Sequence, residues 1–124
     1  MIDFQNGTFA KLGPTDPRPF AQELAPILVD GEVVHLSFKG MRDSVVFTNK
    51  RLIAINVQGL TGKKRDYSSL PYSKVQAWSI ESAGRFDLDA ELELWFSGLG
   101  KVHLDFKGQV DINTIGKLIG NYVL

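Results

Sequence analysis

Apolar and polar side chains alternate through most of the chain, and that alternation predicts its architecture. After Asp30-Gly31, Val34, Leu36 and Phe38 alternate with His35, Ser37 and Lys39, the period of a strand with one wet face. Gly40-Met41-Arg42 turns the chain into a second strand at residues 43–48. Asn49-Lys50-Arg51 turns it again into a third at 52–57. A longer loop with Gly59 and Gly62 follows, then a weaker strand at 65–70 that Pro71 stops, and a fifth strand at 75–81. The clearest alternation comes next. Leu88, Ala90, Leu92, Leu94 and Phe96 point one way, while Asp87, Asp89, Glu91 and Glu93 point the other. Ser97-Gly98-Leu99-Gly100 leads into Val102, Leu104 and Phe106, which alternate with Lys101, His103 and Asp105. Placing Phe96 opposite Val102 puts both apolar sets on one face and predicts a loop of about five residues.

Both ends of the chain carry the other period. Ile112, Ile115, Leu118, Ile119 and Tyr122 share one face of a predicted C-terminal helix, with Asp111 as its N-cap. A short N-terminal helix is predicted over residues 16–28. Pro17 and Pro19 suit its first turn, Phe20, Leu24, Ile27 and Leu28 share a face, and Pro26 bends or ends it. Residues 1–16 read as an irregular tail broken by Gly7, Gly13 and Pro14, with Phe4, Phe9 and Leu12 available to dock it. The predicted fold is mainly β: seven short antiparallel strands form a bent sheet or barrel capped by the C-terminal α-helix. The expected domain spans residues 17–124.

Composition narrows the function classes. At 124 residues the chain fits one core, and 44% hydrophobic with 23% charged residues is ordinary for a globular domain. Lysine plus arginine equals aspartate plus glutamate at 14 each, so the basic excess expected of a nucleic-acid binder is missing. The lack of cysteine removes disulfides, thiolate metal sites and cysteine nucleophiles. No apolar run is long enough to span a bilayer, and MIDFQNGTFAKL does not fit a secretory leader, so the expected setting is cytoplasmic.

Lys39-Gly-Met-Arg-Asp43 followed by Val46-Phe-Thr-Asn-Lys-Arg-Leu52 resembles the bacterial pleckstrin-homology (PH) domain family. So do Gln58-Gly-Leu-Thr-Gly-Lys-Lys64, Pro71-Tyr72 and the stretch from Glu81 to Glu91. The resemblance runs from about Pro17 to Leu124. It implies a seven-stranded barrel closed by the C-terminal helix, and ring-like homo-oligomers. Eukaryotic phosphoinositide-binding relatives carry a long basic loop between their first two strands and a tryptophan in the final helix. Here Gly40-Met41-Arg42 is short and the final helix has no tryptophan, which argues against membrane lipid as the ligand.

Two charge clusters are the candidate chemistry. The ladder of Asp87, Asp89, Glu91 and Glu93 spaces its side chains about 7 Å apart along a straight strand, which does not converge the oxygens a calcium site needs. It fits a solvated face, or an interface meeting basic groups. In the register above, Glu91 faces Lys107, Glu93 faces Asp105 and Trp95 faces His103. The basic cluster of Lys50, Arg51, Lys63, Lys64 and Arg65 lies on two connections. It fits solvated loops, contact with an acidic neighbouring subunit, or binding of an anion or a membrane surface. Gly59-Leu-Thr-Gly-Lys-Lys64 does not match a phosphate loop, because the second glycine comes early and no Ser or Thr follows the lysine. His35 and His103 are too few for a zinc site, and Ser97-Gly98 is a hairpin, not a nucleophile elbow. Trp78 and Trp95 fit packing or subunit contact better than base stacking. No catalytic residue, metal or cofactor is expected. The reading is a non-catalytic module that self-assembles and offers a surface to a protein partner. Phe4, Phe9, Trp95 and Leu99 are its candidate anchors, and Asp89, Glu91 and Glu93 its acidic flank.

Overall fold

The computed structural model describes residues 2, 7–84, 89–108 and 110–124. Its strands are β1 (Gly7–Pro14), β2 (Val34–Lys39), β3 (Asp43–Thr48), β4 (Arg51–Gln58), β5 (Lys64–Pro71), β6 (Val75–Glu81), β7 (Ala90–Phe96) and β8 (Gly100–Phe106). The helices are α1 (Arg18–Leu24) and α2 (Ile112–Val123). All eight strands form one sheet in the order β5-β4-β3-β2-β1-β8-β7-β6. The architecture is the expected bent sheet with a terminal helix, with one strand more than the periodicity predicted.

That extra strand comes from the supposed tail. β1 pairs antiparallel with β2 and parallel with β8, so it joins the two halves of the sheet. The register shifts between Phe9 and Leu12, and Lys11 sits there at φ 55°. This irregularity places Phe9 and Leu12, three residues apart, on the same buried side. A bulge of that kind hides a strand from any search for a two-residue period. Phe9, offered above as a surface anchor, is therefore a core residue and unavailable to a partner.

The main core fills the inside of the curl. Phe38, Val45 and Phe47 face Leu92, Leu94 and Phe106 across it, with Phe38 edge-on to both Phe47 and Phe106. A second, smaller core lies outside the curl, where Phe20 and Leu24 of α1 cover Val46, Ile53 and Ile55. β3 and β4 are thus buried on both faces, which is why they read as apolar runs (Val45-Val46-Phe47 and Leu52-Ile53-Ala54-Ile55) instead of alternating. A register shift between Val34 and Leu36 divides β2 as well: Val34 packs with the α1 cluster and Leu36 with the main core. The three apolar residues of β2 do not share one face as predicted.

α1 is shorter than expected and stops at Leu24; Ala25 still has helical angles, but Pro26 has no N–H with which to continue the ladder. α2 begins as predicted, with Asn113 N–H donating to the Asp111 carboxylate at 3.1 Å and Thr114 Oγ1 at 2.9 Å. It drives Ile112, Ile115 and Ile119 into the open mouth of the sheet, all buried. Tyr122 instead reaches the rim, stacking on Tyr72 at 5.9 Å and His35 at 6.4 Å. The helix comes close to β6 at Gly116, where a Cβ would lie 3.1 Å from Ile80 Cδ1 and that side chain would have to give way.

If β1 is integral to the sheet, Leu12→Ala leaves a cavity at a 1% exposed site and destabilises the protein by about 2–5 kcal/mol in denaturant titration. A change within a few tenths of a kcal/mol would mean that residues 7–14 are a dispensable appendage.

Candidate functional site

The acidic ladder stands on the outer face of the β6–β7–β8 half. On β7, Leu92, Leu94 and Phe96 turn inward, and Glu91, Glu93 and Trp95 turn outward and are half-buried. Phe96 pairs with Gly100 and Leu94 with Val102, so the hairpin is two residues tighter than expected. Gly98 at φ 79° permits this, and Leu99 N–H closes the turn on Phe96 O at 3.2 Å. The shift by an even number keeps every side chain on its predicted face but changes every cross-strand partner. Glu91 faces Asp105 instead of Lys107, Glu93 faces His103 instead of Asp105, and Trp95 faces Lys101 instead of His103.

Continuing each row onto β6 separates two electrostatic settings. Ser79, Glu93 and His103 form one row. In it, Lys101 Nζ lies 3.0 Å and His103 Nδ1 3.4 Å from Glu93 Oε2. The bond from Lys101, reinforced by His103, holds the Glu93 carboxyl below its ordinary value against the burial that would raise it. In the next row Glu81, Glu91 and Asp105 stand side by side on three neighbouring strands. Burial, together with Glu81 and Asp105, pushes the Glu91 carboxyl up despite His103 Nε2 at 3.9 Å. Like charges directly opposite one another are unfavourable. Asp89 lies just before β7 and is half-buried; Leu99 is exposed at the turn. Phe4 and Asp87 lie outside the described residues.

The basic candidates do not form one cluster. Lys50 and Arg51 mark the start of β4, while Lys63 and Lys64 follow its end, about 25 Å away at strand rise. Arg51 is committed to structure. Its Nε and Nη2 donate to the two oxygens of Glu32 at 2.9 and 3.0 Å, Nη2 also to Ile27 O, and Nη1 to Ser69 Oγ. Thr48 Oγ1 donates to Glu32 Oε2 at 2.7 Å and Val29 N–H to Oε1 at 3.0 Å. Arg65 likewise reaches Glu23 of α1 through Nε at 2.6 Å, and the Tyr67 hydroxyl donates to the same carboxylate. These two arginines fasten α1 and the segment after it to β4 and β5. Lys63 and Lys64 are exposed.

Two features escaped the sequence reading. Met41 and Leu60 are almost fully exposed, at 97% and 108%, on adjacent loops joined by Arg42 Nη2 donating to Gly59 O at 2.9 Å. Between these loops and α1 lies a cleft of roughly 610 Å³ lined by Phe20, Glu23, Arg42, Val57 and Arg65. A large apolar side chain at the centre of each glycine-flanked turn was the available signal. The second is β6 itself, the last strand of the sheet, exposed from Gln76 to Glu81 apart from Trp78. Among the described residues no three His, Asp or Glu side chains are placed to hold a metal ion, and no helix is long and apolar enough to cross a membrane.

A curled sheet stoppered by a C-terminal helix is the PH-like architecture. The chain belongs to the bacterial PH domain family, whose signature it matches over residues 3–123. It is 43% identical over 120 residues to the Bacillus subtilis "Uncharacterized protein YjqA", covering 95% of this chain and 96% of that one. A crystal structure of a protein with a pleckstrin-homology domain from Shewanella loihica superposes with a TM-score of 0.81 at 43% identity, covering 93% of this chain and 99% of that one. A pleckstrin homology domain from Shewanella amazonensis gives 0.68 at 46% identity, covering 89% and 90%.

The Glu32 carboxylate has a side chain with no solvent exposure. Burial alone would raise its pKa, but the bonds from Arg51, Val29 N–H and Thr48 hold it below its usual 4.5. A depressed carboxylate stabilises the fold at pH above the unfolded value, and that contribution is lost as pH falls through the folded value. Thermal stability should therefore decline below about pH 4.5, and Glu32→Gln should cost about 3 kcal/mol at pH 7 while flattening that decline. An unaltered acid limb in Glu32→Gln would show that other carboxylates set it.

Proposed function

We propose that this domain works in the cytoplasm as a non-catalytic interaction module that assembles head to tail with its own copies into rings and presents a surface to a protein partner. The observation that carries this reading is the pair of unlike sheet edges. β5 and β6 are the two ends of the strand order, so among the described residues each is hydrogen-bonded to a strand on one side only. Natural proteins guard such edges with lysine, proline or short length. β5 has such guards in Lys64 and Pro71, whereas β6, Val-Gln-Ala-Trp-Ser-Ile-Glu, has neither residue over seven positions. Unlike surfaces on one molecule favour a heterologous contact, which closes into a ring when the rotation per subunit divides a full turn. Trp95 and Leu99 lie on the β6–β7–β8 half, where an aromatic anchor with charged neighbours suits a specific contact.

The alternative, binding of an anion or a membrane surface through Lys50, Arg51, Lys63, Lys64 and Arg65, needs those cations together. The structure separates them, and Arg51 and Arg65 are engaged with Glu32 and Glu23.

Light scattering at micromolar concentration should give a mass several times the 13.8 kDa of one chain. Ser79→Lys, which adds a guard to the exposed edge, should lower that mass without lowering the melting temperature. A strict monomer for the parent protein would remove the assembly reading.

A further inference from the structure

The cleft between α1 and the two glycine-flanked turns lies beside the second core, on the outer face of the sheet. Lys39, Ser44, Ile55 and Tyr67 are successive cross-strand neighbours on that face. The second core ends at Ile55, and past it Ser44 and Val57 form the floor of the cleft. We infer that this cleft receives an acidic segment of a protein partner, with a carboxylate held by Lys39 and Arg42 and an apolar side chain laid against Phe20 and Val57. Such docking rests on the protein-partner half of the function proposed above and is independent of ring assembly.

The charges of the lining favour an anion. Lys39, Arg42 and Arg65 line the cleft against one carboxylate, Glu23. That carboxylate is already engaged, because Arg65 donates to both of its oxygens and the Tyr67 hydroxyl to one of them. Arg42 donates from Nη2 to Gly59 O, and among the described residues its Nε and Nη1 have no acceptor. Its neighbour Asp43 offsets part of that charge but lines a separate cleft beside Phe9 and Leu12. Lys39 is exposed and has no ion pair with a described residue. Ser44, directly opposite Lys39, is only 5% exposed, and its hydroxyl makes no hydrogen bond to a described residue. A recessed hydroxyl left without a partner beneath an unpaired ammonium is satisfied by an entering polar group.

The apolar half of the site calls for more than a small ion. Gly59 and Gly62, at φ 79° and 69°, build the turn that projects Leu60 into solvent, and the Arg42–Gly59 bond ties the Met41 turn to it. Met41 and Leu60 therefore stand in water at the rim, and Phe20 and Val57 continue the apolar surface inside. Exposed apolar area rimmed by polar groups marks a surface that meets a partner, and methionine adapts readily to what it covers. A free inorganic anion would engage the cations and leave Met41 and Leu60 in water. An acidic segment with an apolar side chain complements both halves at once.

A membrane surface fits less well. A flat layer of headgroups would meet Met41 and Leu60 at the rim but would not enter the cleft as far as Ser44 or the Arg65–Glu23 pair. An extended segment of chain is narrow enough to do so.

The test is selection from a random-peptide display library on the immobilised full chain, followed by binding of the selected synthetic peptides in solution. The selected peptides should carry two or more Asp or Glu beside a Leu, Ile or Phe. Lys39→Glu and Leu60→Ser should each weaken their binding about tenfold or more. Both side chains are exposed, so the melting temperature should not change. Lys50→Glu, at the opposite end of β4, should leave the affinity as it was. If one cleft variant lowers the melting temperature, the other decides. Selected peptides that lack acidic residues, or that bind both cleft variants as tightly as the parent, would defeat the cleft and leave a partner surface elsewhere on the domain. Selection of no peptide would defeat the cleft and the protein-partner reading together. A monomeric parent that selects acidic, apolar peptides would remove ring assembly alone. Cosedimentation with vesicles of one part phosphatidylserine to four parts phosphatidylcholine, lost in Lys39→Glu and with no peptide selected, would assign the cleft to a membrane and overturn the inference.

Discussion

A sheet that curls on itself encloses an apolar interior but leaves an open mouth, and the rest of this structure depends on closing it. α2 does so with Ile112, Ile115 and Ile119, while Gly116 lets the helix backbone come down onto Ile80 of β6. The burial of these side chains offsets the ordering of a helix too short to persist alone. The same closure fixes what remains outside. With the helix packed against the inner side of β6, that strand turns its other face outward and, among the described residues, is paired on one edge only.

The two arginine networks do comparable work on the opposite flank. Arg51 with Glu32, and Arg65 with Glu23, fasten α1 over the outside of β3 and β4 and create the second core around Phe20 and Leu24. Residues that look like a basic patch in sequence are here used to hold the fold. Lys63 and Lys64, after β4, are exposed.

Most of the sheet was legible because seven strands keep period two or form short apolar runs between Gly and Pro breakers. What was not legible has a common cause. Bulges at Phe9–Leu12 and Val34–Leu36 alter the period locally, so β1 was missed and Val34 was assigned to the wrong core. The β7–β8 register depended on a turn whose length Gly98 shortens, and a two-residue shift that preserves the facing leaves no trace in the hydrophobic pattern. Of the candidate site, the outward facing of Glu91, Glu93 and Trp95 was legible from alternation alone. The engagement of Arg51 and Arg65 was not, since Glu32 and Glu23 lie 19 and 42 residues away in sequence.

Amide hydrogen exchange in Ile115→Asp tests the central claim most directly, since the change places a charge inside the mouth that α2 seals. The account predicts that protection collapses together in β2–β4 and in β6–β8, because both halves share the interior this residue closes. Loss of protection confined to α2, with the strands still guarded, would contradict it.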